Sequence, residues 1–89
     1  MHFQYCIKHM IHEGLRFKRA EWEGYWEWKD GTILMHCAEG RVLDIRKTED
    51  VAFTLENILA SDWMRATPSN CPVMAREMVN GIAEAGQGS

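Results

Sequence analysis

A chain of 89 residues with 46% hydrophobic and 26% charged side chains has room for one folded domain and no second core. Its net charge of −3, from 10 Lys+Arg against 13 Asp+Glu, argues against duplex DNA or RNA binding, which needs a basic face to release counterions. Cys6, Cys37 and Cys71 are odd in number and far apart with no CxxC pair, so neither a zinc knuckle nor a disulfide framework is expected.

From the N-terminus, residues 2–13 read as a helix, with Phe3, Cys6, Ile7, Met10 and Ile11 on one stripe and Gly14 as a left-handed cap. "LRFKR" alternates as a short strand, with Leu15 and Phe17 inward and Arg16 and Lys18 outward. In "YWEWKDGTILMH", Asp30-Gly31 predicts a two-residue hairpin turn that pairs Trp28 with Ile33 and Trp26 with Met35. Tyr25, Glu27, Leu34 and His36 then share the other face. Gly40 turns the chain into a further strand, "RVLDI", and "RKTED" is a charged connection. Thr54 and Asn57 suggest a capped short helix carrying Leu55, Ile58 and Leu59. "DWMR" returns as a strand, and residues 73–85 form a last helix with Met74, Met78, Ile82 and Ala85 on one stripe. "GQGS" is read as a frayed end.

The fold class expected is α+β: an N-terminal helix on a small antiparallel β-sheet, with a short helix before the last strand and an added C-terminal helix. Residues 1–67 make the helix-plus-sheet unit, and residues 68–89 are a helical extension and tail of the same single domain. No apolar run approaches the roughly 18–20 residues of a membrane span, and "MHFQYCIKHM" lacks a signal-peptide layout. The cytosol is the expected compartment.

Few residues suggest catalysis. His9, His12 and Glu13 have workable helical spacing for a metal pair, but no third ligand is identifiable, and a solvated polar face is the simpler reading. His36 and Cys37 are adjacent, which on a strand sends them to opposite faces, out of reach for nucleophilic activation. Gly24, Gly31 and Gly40 are isolated turn glycines rather than a phosphate-cradling loop. No cofactor and no metal is expected.

Binding is better supported. "RAEWEGYWEWKDG" places Trp22, Trp26 and Trp28 close together. Trp22 falls outside both alternating strand patterns, in a turn, where a large aromatic is hard to explain as core. Trp26 and Trp28 have a strand role opposite Met35 and Ile33. Arg19 supplies a guanidinium near the same end of the sheet, either solvated or for a phosphate. Asp62 can cap, pair with a cation, or accept hydrogen bonds from ribose hydroxyls or a base amine. The candidate ligand-binding residues are therefore Trp22, Arg19, Trp26 and Asp62.

Taken together, "F..C.....HEG..FKRAEW.G", "W.WKDGTILMH...G" and "ENILASDW" resemble, across roughly residues 3 to 65, the phage Thoeris anti-defence family of the second type. That resemblance implies a non-enzymatic sponge. Family members sequester cyclic ADP-ribose isomers made by the host defence, and some relatives also hold cyclic dinucleotides. It further implies a homotetramer with pockets between subunits in the cytoplasm of an infected bacterial host, with Trp22 as the stacking residue. In this chain the segment after Trp22 is Glu23-Gly24-Tyr25-Trp26, where many relatives carry a more basic or amide-rich turn. A protein-interaction module, docking a host protein through the aromatic turn, is the alternative from another class; an enzyme cleaving the same signal is a third.

Overall fold

The computed structural model describes residues 1–87, with side chains placed through Val79; the last two residues of the "GQGS" end, and the Ile82 and Ala85 side chains, lie outside the described residues. The fold is α+β. In chain order it runs α1 (Phe3–Glu13), β1 (Phe17–Arg19), β2 (Tyr25–Lys29), β3 (Thr32–His36), β4 (Val42–Asp44), a 3-10 turn (Ile45–Lys47), α2 (Val51–Leu59), β5 (Trp63–Arg65) and α3 (Pro72–Gln87). The strands form one antiparallel sheet in the order β4-β3-β2-β1-β5.

The local rules behind these elements are visible. Gly14, at φ 69°, ends α1, and the Gly14 and Leu15 amides return to the Met10 and His9 carbonyls. Asp30 and Gly31 take φ values of 55° and 75°, which matches the twist of a two-residue hairpin. The register follows: Trp26 lies opposite Met35 and Trp28 opposite Ile33.

Because strand residues alternate, the sheet has two differently used faces. On one, α1 lays Phe3, Cys6 and Met10 against Phe17, Trp26, Ile33, Met35 and Trp63. On the other, Tyr25 is buried with Ala66, Cys71, Val73 and Met74, so the C-terminal extension packs on its own sheet. Tyr25 also stacks on His36, with ring centroids 4.3 Å apart, and donates its hydroxyl to Glu77 of α3 at 2.5 Å. Burial and that carboxylate push the Tyr25 hydroxyl well above the usual phenol range, which keeps it a donor.

Three sequence expectations change. Lys18, expected outward, is only 2% exposed; it shares the Tyr25 side of the sheet and satisfies its ammonium on the Ala20 carbonyl at 3.1 Å. The cap of α2 is Asp50 rather than Thr54: its carboxylate accepts the Phe53 amide at 3.0 Å, starting the helix four residues earlier. Part of the "RKTED" connection is ordered as the 3-10 turn, which Asp44 opens by accepting the Arg46 amide at 2.9 Å.

Asp30→Pro is expected to destabilise the fold by on the order of 3 kcal/mol, because proline cannot adopt the positive φ the turn requires. Asp30→Asn, which tolerates that region, is expected to melt close to the parent. Thermal melting of the pair checks the hairpin assignment.

Candidate functional site

A cavity of about 510 Å³ opens on the core face of the sheet. Its floor is Trp26 and Met35, from the facing positions of the β2–β3 hairpin. One wall is the Glu21–Gly24 turn with the Trp22 ring; the opposite wall is Leu43 of β4 with Thr48, Asp50 and Phe53 at the start of α2. His36, Cys37 and Ala38 close the end where β3 runs out. Cavities of this size and apolar character are ordinary for small-molecule ligands.

The turn that presents Trp22 is fixed from three sides. The Trp22 amide bonds the Arg19 carbonyl at 3.0 Å, making a tight turn off β1. Gly24 packs against the β3 backbone so closely that a Cβ would drive into the His36 carbonyl oxygen. On the opposite face, the carbonyl of Glu23 accepts from the Val73 amide and the Cys71 thiol, each at 3.1 Å. The start of α3 therefore buttresses the turn, a contribution of residues 68–89 that nothing in their sequence announced.

Trp22 is not a free-standing ring. It is partly buried, with centroids 5.5 Å from Trp26 and 5.2 Å from Trp63, the latter edge-on. The turn position lets one part of the indole join the core while the ring also walls the cavity. Trp26 is 3% exposed and forms the floor. Trp28 is partly buried against the core and does not line the cavity.

Arg19 and Asp62, the other two candidates, meet each other rather than the cavity. The Arg19 Nε donates to Asp62 at 2.7 Å, and its Nη1 donates to the Asn57 side-chain carbonyl at 2.7 Å. Neither residue lines the cavity. The Arg19 guanidinium holds the Asp62 carboxyl below the usual carboxylate range. Since the folded value is depressed, the pair contributes fully at neutral pH, and its contribution is lost as pH falls through that lowered value.

Asn57 is the residue that sequence reasoning misplaced. Read as part of a cap, it is instead buried, 2% exposed, and joins three elements. Its side chain accepts from Arg19 of β1 and donates to the Phe53 carbonyl at 2.8 Å, while its own carbonyl accepts the Trp63 indole N–H at 2.8 Å. Thr54 and Glu56 are polar members of the same helix, so the sequence did not set Asn57 apart.

Burial raises the Cys37 thiol, with Glu39 adding to the effect, so it stays protonated and a weak nucleophile at neutral pH. His36 is occupied on the far side of the sheet, with Nδ1 3.1 Å from Glu77 and Nε2 against Glu27. Among the described residues, no group of three or more His, Cys, Asp and Glu is placed to hold a metal ion, and no helix is long and apolar enough to cross a membrane. No family model, curated protein or solved structure matches the chain.

Asn57→Ala is expected to lower stability by roughly 1–3 kcal/mol, since it strips a buried acceptor from Arg19. Denaturant unfolding checks this. If Asn57→Ala and Arg19→Ala cost no more together than singly, the two act as one unit.

Proposed function

We propose that this protein is a non-catalytic binding protein that sequesters a cyclic nucleotide signal of the cyclic ADP-ribose type, its base lying against Trp22. The observation that carries the reading is the apolar cavity whose wall and floor are the Trp22 and Trp26 indoles. An aromatic plane is what a nucleobase needs, and each base stack contributes roughly 1–3 kcal/mol. The resemblance of residues 3 to 65 to the Thoeris anti-defence sponges supports the same class of ligand, with cyclic dinucleotides as a second class, and the cytoplasm of an infected bacterial host as the compartment. The protonated Cys37 and the engaged His36 favour capture over cleavage.

Capture is coupled to self-association in this reading. One indole wall falls short of the approximately −12 kcal/mol that nanomolar binding requires, so a second copy closing the site is part of the proposal, and a homotetramer is its form. The surface that supports association is α2, where Val51, Leu55 and Leu59 are spaced four apart and are 62%, 52% and 80% exposed. The same stripe supports the second reading, a protein-interaction module, with a host protein as occupant.

Three experiments test this. Protein incubated with a cyclic ADP-ribose isomer, then heat-denatured, is expected to return the ligand intact; fragments would indicate an enzyme, and no retained ligand an interaction module. Trp22→Leu, which keeps apolar volume against Trp26 and Trp63, is expected to weaken calorimetric binding about ten- to hundredfold while remaining folded. For association, Leu55→Glu with Leu59→Glu is expected to convert an oligomer to monomer in light scattering without loss of helical content. An unchanged mass would place the interface elsewhere, and a parent that is already monomeric would remove the shared-site model.

A further inference from the structure

Val73, Arg76 and Glu77 stand three and four residues apart, so their side chains share one face of α3, with Val73 buried beside Tyr25. This stretch of helix meets two segments of the cavity wall that are distant in sequence. At the Glu21–Gly24 turn, the Val73 amide bonds the Glu23 carbonyl at 3.1 Å. At the His36–Ala38 end, the Arg76 Nη2 donates to the Ala38 carbonyl at 2.7 Å, and the Glu77 Oε1 lies 3.1 Å from the His36 Nδ1. The chain after β3 turns back through the Gly40 amide on the Cys37 carbonyl and the Cys37 amide on the Arg41 carbonyl, at 3.0 and 2.8 Å, which leaves the Ala38 carbonyl to α3. Ala38 lines the cavity and also a hollow of about 350 Å³ bordered by Val73, Arg76 and Glu77, so it belongs to both sides.

Resting on the proposed function, we infer that Arg76 and Glu77 are positioning residues for the cavity: from behind the sheet they hold the His36–Ala38 end wall in place relative to the Trp22 turn, which the same helix holds through Glu23. α3 is then a brace across two walls. Docked, it fixes the separation that a rigid cyclic ligand needs; undocked, each wall moves by itself. The coupling is reciprocal, since a ligand that requires both walls in place favours the docked helix by the same factor by which docking favours the ligand.

The test uses Cys37, which lines the end wall, as a reporter. The full chain is labelled with iodoacetamide at mildly alkaline pH without denaturant, and each cysteine is read separately by peptide mass spectrometry. Cys6, buried in the core under α1, reports global opening in the same sample. Arg76→Ala/Glu77→Ala is expected to label at Cys37 roughly two- to tenfold faster than the parent with the Cys6 rate unchanged, because the end wall loosens locally. Arg76→Lys, which keeps a donor for the Ala38 carbonyl, is expected to stay near the parent. An unchanged Cys37 rate would overturn the inference by showing that the wall stands without α3. Cys37 and Cys6 rising together would overturn it by reducing both residues to a role in global stability. In calorimetry with a cyclic ADP-ribose isomer, the double variant is expected to bind about three- to tenfold more weakly than the parent, and equal affinity would also overturn the inference. A parent that binds no isomer would remove the functional reading, while the labelling rates would still decide whether α3 sets the wall.

Discussion

The fold is organised around the burial of Trp63. Its ring lies 5.0 Å from Phe3, 5.1 Å from Trp26 and 5.2 Å from Trp22, measured between centroids, so a strand, a hairpin, a turn and the first helix meet on one indole. An indole N–H in such a place must find an acceptor. It finds the Asn57 carbonyl at the end of α2. That requirement fixes where α2 stops, which in turn brings the Asn57 side chain under Arg19 and the first turn of α2 over the cavity.

A small domain has few interior positions, and here the aromatic residues serve both core and cavity. Trp26 is floor to the cavity and core to the sheet; Trp22 is wall and core at once. Such sharing makes the site rigid, because a ring packed on two others cannot swing away without opening the core. It also separates the charges. Five of the six guanidiniums, all but that of Arg65, meet a carboxylate or a carbonyl, and Glu21, Glu23 and the capping Asp50 are among the cavity's wall residues.

Much of the fold was legible because its signals are local. Asp30-Gly31 set the hairpin, and the two-residue period then set the partners of Trp26 and Trp28. Gly14 ended α1 for the same kind of reason. What was not legible depends on non-local packing. Lys18 alternates like an exposed residue, yet the return of α3 covers its side of the sheet. Asp50 and Thr54 are both capping residues, and only the position of α2 under Trp63 decides between them. For the site, the turn position of Trp22 singled the ring out but concealed its contacts with Trp26 and Trp63. Arg19 and Asp62 stand 43 residues apart, so nothing in the sequence revealed that they pair with one another.

The buttress formed by α3 ties these points together. Its first residues hold the Glu23 carbonyl from behind the sheet while Glu77 secures Tyr25 and His36. The start of α3 thus holds the Trp22 turn from behind the sheet, and among the described residues none of α3 lines the cavity. The most direct measurement of the account is a crystal structure of the protein with a cyclic ADP-ribose isomer. The base is predicted to lie face-on against the Trp22 ring above Trp26, inside the cavity bounded by Leu43 and Phe53. A base found at the Arg19–Asp62 pair, or on the exposed stripe of α2 with the cavity empty, would contradict it.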